Sequence, residues 1–230
     1  MGFNTLLPLA SFLVTLLFAV AVLQRYLVRR GTHLLFWGLG LLMYDAGAFC
    51  EFYMGATRSW NELVFRLWYL FGALLVAAWL GQGTVALLAS RRVSRISLVV
   101  LVAASLYGAF AVFTAPLTSG NFVPGGQLTG IGIVPQGVRL LTPFFNVYGT
   151  LTLVGGALYS AWIFWRKRIL ANRMTGNVFI AAGAMVPAIS GTLSRFGLTE
   201  YLYLGEFLGS VLMFAGFWLA TSTVAARRRV

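Results

Sequence analysis

Five carboxylates are the chain's whole stock of acid groups: Asp45, Glu51, Glu62, Glu200 and Glu206. Each lies in or beside a long apolar stretch. An ionisable side chain inside a membrane is costly, so it faces the bundle interior and is paired, solvated or used. The other reactive residue types are nearly absent, with His33 the single histidine and Cys50 the single cysteine. That count excludes an intrachain disulfide, a cysteine-based metal site and bis-histidine haem ligation within the chain. It also argues against the multi-histidine zinc site of membrane hydrolases. No Ser-His-Asp or Cys-His nucleophile can be assembled around His33, and no Walker or dinucleotide glycine pattern occurs in a strand–helix setting. The sequence therefore predicts a non-enzymatic protein without metal or cofactor.

The elements that must position these acids are membrane helices. The chain is 60% hydrophobic, only 10% charged, and has a mean hydropathy of +0.86. A soluble domain carries about 25% charge. Apolar spans fall at 5–27, 33–56, 62–89, 96–116, 140–165, 174–194 and 200–224. Each is long enough to cross a ~30 Å hydrocarbon core at ~1.5 Å per helical residue. They use nearly all of residues 1–230, which predicts one all-α, polytopic seven-helix domain.

Of the 17 basic residues, 13 cluster at alternate span ends: Arg25, Arg29 and Arg30; Arg91, Arg92 and Arg95; Arg166, Lys167, Arg168 and Arg173; Arg227, Arg228 and Arg229. Only Arg58, Arg66, Arg139 and Arg195 fall at the other ends. The positive-inside rule then predicts an external N-terminus and a cytoplasmic C-terminus in the plasma membrane. The net charge of +12 is divided among these helix ends, where it sets topology and meets anionic lipid, and does not form a nucleic-acid surface. Residues 1–27 carry their charges after the apolar run, which marks a first helix and not a signal peptide. Residues 117–139 form a long external loop rich in Gly and Pro. Pro124-Gly125-Gly126 supplies hairpin-turn geometry, and a loop of this length suits either a surface linker or a lid over an external cavity.

Within this frame Asp45 is the deepest acid, near the bilayer centre. Tyr44 and Glu51 share a helix face, while Asp45 points roughly 120° from Glu51. Glu62 and Arg66 have the favourable i, i+4 order and are expected to form a structural ion pair. Glu51 or Glu206 is expected either to pair with Arg139 or Arg195 or to join a polar chamber open to the outside. The chamber residues are Asp45, Glu51, Tyr44, Tyr69, Asn146, Tyr148, Tyr203 and Glu206. With acids and arginines nearly balanced, such a chamber suits a zwitterionic or neutral polar ligand. Asp45 is expected to be protonated or hydrogen-bonded to a tyrosine, serine or backbone carbonyl. Trp37, Trp60, Trp68, Trp162 and Trp165 fall near span ends, as an interfacial belt does. Pro187, flanked by Gly183 and Gly191, is expected to kink the sixth span.

A faint repeat links Trp79-Leu-Gly-Gln-Gly-Thr-Val-Ala to Trp218-Leu-Ala-Thr-Ser-Thr-Val-Ala. Arg30, Thr32 and Gly40 match Arg173, Thr175 and Gly183 in the same orientation. This suggests a parallel 3+1+3 layout, as in some transporters. That layout resembles the SWEET-type sugar transporters, although the one Pro-Gln pair, Pro135-Gln136, falls in the external loop. Seven helices with an external N-terminus are also similar to microbial rhodopsins, but Lys167 is the only lysine and the last span lacks one for a Schiff base. Residues Arg173 to Gly191 with Leu204 to Leu219 resemble the last two helices of the seven-helix sensor regions of bacterial histidine kinases. The resulting expectation is a protein that binds a small molecule from outside and signals through a membrane or signalling partner. A small-solute or proton-coupled transporter and an accessory subunit of a larger membrane complex are the alternatives. The bilayer is the one partner that composition requires.

Overall fold

A chain this apolar must satisfy its backbone polar groups internally, and in lipid a helix does so within each segment. The computed structural model describes residues 3–168, 170–198 and 201–226. Among these residues, seven helices are long and apolar enough to cross a membrane. They are α1 (Phe3–Arg29), α2 (Thr32–Thr57), α3 (Glu62–Leu88), α4 (Arg91–Thr114), α5 (Gln136–Arg166), α6 (Ala171–Arg195) and α7 (Leu202–Ala226). Together they make an all-helical, multi-pass membrane architecture. The basic run Arg227–Arg229 and the acid Glu200 lie outside the described residues.

The boundaries follow local chemistry. Arg30 ends α1 in the left-handed conformation (φ 53°), so the first connection is shorter than the 28–32 segment expected from sequence. Ser90 caps α4, its hydroxyl accepting from the Val93 amide at 3.4 Å. Arg91, Arg92 and Arg95 are thereby in the first turns of α4, where a connecting loop was expected. Asn61 caps α3 in the same way, accepting from Val64 at 3.1 Å. Within α3, residues Tyr69–Leu75 form a π-helical segment, which sequence periodicity did not indicate.

The principal packing partners close a ring: α1 on α2, α2 on α3, α3 on α5, α5 on α6, α6 on α7, and α7 back on α1. Helix α4 stands outside it, packed mainly on α3. Contacts along the ring show which ends lie together. At one end Arg25 donates to the Thr221 carbonyl at 3.1 Å and Trp37 donates to Thr84 Oγ1 at 3.3 Å. At the other, Thr5 reaches the Gly55 carbonyl, Tyr69 meets Thr142 Oγ1 at 3.0 Å, and the loop between α4 and α5 covers the bundle; it stops at Pro135, because Gln136–Arg139, expected within a 117–139 loop, form the first turn of α5.

Glycines set the closest approaches, as expected where helices meet without a hydrophobic driving force between them. Gly47 of α2 backs onto Gly72 in the π segment, with a Cβ at Gly47 falling 2.8 Å from the Gly72 Cα. Gly183 and Gly176 of α6 face the backbone of α7 near Gly209 and Gly216. Pro187 lies within a continuous α6 and packs on Gly209. Proline removes the amide that would bond the Gly183 carbonyl. That carbonyl instead abuts Gly209, where an added Cβ would come within 2.6 Å of it.

These approaches predict a contrast. A Cβ on Gly149 would fall 2.2 Å from the Ala77 carbonyl, whereas one on Gly155 meets nothing within 4 Å. Gly149→Val should force α3 and α5 apart and cost about 1–3 kcal/mol or more. Gly155→Ala should be neutral or gain up to ~1 kcal/mol from helix propensity. Thermal unfolding of the purified variants in detergent checks both.

Candidate functional site

The sequence-predicted polar residues separate into three groups. The first gathers where α2, α3 and α7 meet beneath the loop. Glu51 is only 3% exposed. Its Oε1 accepts from the Trp68 indole at 2.7 Å. Its carboxyl lies within hydrogen-bonding range of the Glu206 carboxyl, which reaches it from α7 and is itself partly buried. Tyr44, one helix face with Glu51, donates to the Glu206 backbone carbonyl at 2.7 Å. Tyr203 is 1% exposed, and its hydroxyl accepts from the Leu128 amide of the loop at 2.9 Å. Both tyrosines lie within electrostatic reach of both carboxyl groups.

The ladder that builds this site is local. Gly47 and Glu51 are one turn apart on α2, as are Trp68 and Gly72 on α3, so the glycine contact brings the indole against the carboxyl. Trp68 is therefore not part of an interfacial belt; it is 5% exposed and serves an acid. Trp162 and Trp165, at 47% and 66% exposed, do lie on the outer surface. Phe65 links Trp68 to Trp60, and Trp60 meets Phe122 of the loop edge-on at 5.7 Å between ring centroids.

The loop itself is built as a plug. Leu128, Ile133 and Val134 are buried, and Gly130 sits against the Tyr69 ring. Its two ends are tied where Thr118 donates to Ile133 at 3.1 Å and Asn121 donates to Gly132 at 2.8 Å. The expected turn forms, with Gly125 at φ 75° and Gly126 bonded back to Val123. Its flanks are not paired strands among the described residues; a 3-10 turn at Ser119–Asn121 and buried apolar side chains replace the hairpin.

A second group holds α3 against α5. The hydroxyl of Tyr148 donates to Gln82 Oε1 at 2.7 Å, and the amide of that glutamine donates to the Ser94 carbonyl of α4 at 3.0 Å. Asn146 reaches the Ala73 carbonyl, inside the π segment, at 3.4 Å. Tyr69 bonds Thr142. These residues join neighbouring helices and are separate from the acid pair.

Asp45 makes the third group. It is 8% exposed and faces α1, where Thr15 Oγ1 lies 3.0 Å from Oδ1. Thr15 also lies 2.8 Å from the Ser11 carbonyl, its i−4 neighbour. A tyrosine, serine or backbone carbonyl was the expected partner; the partner is a threonine of the first helix. The 120° offset from Glu51, read from helix geometry, places the two acids against different neighbours.

Glu62 and Arg66 pair as the spacing predicts, at 2.6 Å. This is the one salt bridge among the described residues, and neither Glu51 nor Glu206 has a basic partner there. Arg66 does more than hold Glu62. Its guanidinium also donates to the Val112 and Ala115 carbonyls, which end α4 without intrahelical partners. Arg58 lies over Gly125 in the loop.

Below the acid pair, on the ring's axis, is a cavity of about 60 Å³ lined by all six ring helices. Phe18, Leu41, Leu80, Leu153, Met213 and Phe217 make it apolar, and Asn177 and Ser160 mark its side toward Arg25 and Thr221. Among the described residues, no group of three or more His, Cys, Asp or Glu side chains could hold a metal ion. No family model matches the chain, and neither a curated protein nor a solved structure does.

The Arg66 geometry changes the expected outcome of its mutation. Removing Glu62, which is 59% exposed, should have little effect. Arg66→Ala should cost about 1.5–3 kcal/mol, because charged hydrogen bonds to the α4 carbonyls are lost. The double variant should match Arg66→Ala, where a simple ion pair would show recovery. Chemical or thermal unfolding of the three proteins gives the cycle.

Proposed function

We propose that the chain is a non-enzymatic plasma-membrane protein that binds a small positively charged molecule from the external side. The observation that supports this most is the meeting of Glu51 and Glu206 where α2, α3 and α7 come together, with no arginine or lysine paired to them among the described residues; the Arg195 side chain lies outside these. A balanced set of acids and arginines had suggested a neutral or zwitterionic ligand. With Arg66 engaged at the end of α4, the balance is lost locally and a cation is the better complement. Tyr44, Tyr203 and Trp68 supply aromatic faces and hydroxyls of the kind that accommodate ammonium groups.

In this reading the basic clusters are cytoplasmic, the N-terminus is external, and the loop between α4 and α5 lies on the outer face as a lid. Tyr203 is the connection, since its hydroxyl accepts from the Leu128 amide and lies within electrostatic reach of both carboxyl groups. Ligand entry opens that contact, and α7, tied to α2 through Tyr44, passes the change toward the cytoplasmic end and a signalling partner. A transporter is the second reading. It is favoured by the axial cavity beneath the acids, which puts the pair between an outer lid and an inward-facing space, and by the six-helix ring, which suits a 3+1+3 duplication with α4 as the joining span.

Thermal unfolding with tetramethylammonium and choline, against a neutral sugar and a small carboxylate, tests the binding. The cations should raise the melting temperature of the parent and of Asp45→Asn, and leave Glu51→Gln and Glu206→Gln unchanged. Equal stabilisation of all four proteins, or of none, would refute the assignment of the site.

A further inference from the structure

We infer that Glu51 and Glu206 hold a single proton between their carboxyl groups in the closed state, and that this proton is what a cationic ligand displaces. This rests on the binding site proposed above and specifies its resting occupant.

Glu51 Oε1 is satisfied by the Trp68 indole, but Oε2 is buried with no N–H or O–H donor on it. The carboxyl of Glu206 is in hydrogen-bonding range of this group. Two carboxylates cannot face each other in a low-dielectric interior with both ionised; they share a proton or hold a cation. Among the described residues, the surrounding groups supply no fixed positive charge. From α2 the titratable neighbours are Tyr44 and Cys50, and from α7 they are Tyr203 and Glu206 itself. Trp68, from α3, is a donor only. Tyr44 gives its proton to the Glu206 backbone carbonyl, so it leaves the Glu51 oxygen unsatisfied. The axial cavity is lined by neither acid. A proton needs no space beyond the hydrogen bond itself, which fits the closed site.

The exchange balances. One O–H bond of the shared acid breaks, the proton leaves to external water through the opened lid, and the pair gains one negative charge. A monovalent organic cation entering the site restores the resting charge. The lid contact at Tyr203 and Leu128 then sets when the proton can leave, which makes the site responsive to external pH as well as to ligand.

The chain has four glutamates, Glu51, Glu62, Glu200 and Glu206, so carboxyl-¹³C-glutamate labelling gives a simple solid-state NMR spectrum in lipid. At neutral pH, without ligand, the parent should show one neutral or shared-proton signal beyond the ionised set. Glu206→Gln should remove it, because the new amide can donate to Glu51 Oε2 where the proton did. Asp45→Asn should retain it. Four fully ionised glutamates in the parent would overturn the inference, as would a signal that persists unchanged in Glu206→Gln. A spectrum that changes with sodium or potassium at fixed pH would also overturn it, placing a metal cation there. If Glu206→Gln fails to fold, loss of the same signal in Glu51→Gln decides the matter. The spectrum needs no ligand, so its failure is separate from failure of the binding test.

Discussion

Two acids meet inside a helical bundle with no basic partner among the described residues, and most of the surrounding structure can be understood from that constraint. A buried carboxyl left without partners is costly, so its neighbours must supply hydrogen bonds in place of a counter-charge. The Trp68 indole does this for Glu51. Its position depends on the Gly47–Gly72 approach, in which a Cβ on Gly47 would strike the Gly72 Cα at 2.8 Å and one on Gly72 would make a tight contact at 3.3 Å. The π-helical segment at Tyr69–Leu75 contains Gly72 and exposes the Ala73 carbonyl to Asn146. Segments of this kind are frequent at functional sites in helices. A small geometric departure in α3 thus serves both the acid pair and the contact with α5.

The same constraint gives the loop between α4 and α5 its form. A long apolar connection could have lain loosely on the membrane surface. Instead its buried side chains pack on α3, and its Leu128 amide is used by Tyr203, one turn from Glu206 on α7. The loop therefore completes the polar network from above, while the apolar cavity lies beneath it. If the loop acts as the proposed lid, an acid pair between it and an axial space can change its solvent access when the loop moves, without rearrangement of the ring. In the proposed function, that is the physical link between occupancy of the site and a response elsewhere.

Much of the fold was legible in the sequence because membrane helices are selected by one strong variable, hydropathy over a fixed length. The seven spans fall within a few residues of their observed limits, apart from the start of α4, where arginines in the first turns of a helix read as a loop. The Glu62–Arg66 pair was legible because i, i+4 spacing is local. The acid pair was only half legible. Glu51 and Glu206 both stood out as intramembrane acids, yet helix periodicity gives the face of each residue and not which helix that face meets. Asp45 drew attention by depth, and depth says nothing of Thr15 on α1. Trp68 looked interfacial because it lies near a span end, and the turn that buries it is set by tertiary packing. The π segment leaves no periodic mark in an apolar helix.

A charge reversal tests the central constraint most directly. If Glu206 faces Glu51 with no base between them, Glu206→Lys supplies the missing counter-charge and converts the pair into an ion pair. The account predicts that Glu206→Lys folds in membranes and unfolds at a temperature equal to or above that of Glu206→Gln at neutral pH, while Asp45→Lys, facing Thr15 alone, does not fold. A Glu206→Lys protein that aggregates where Glu206→Gln is stable would contradict it, because the lysine would then have found no acid to meet.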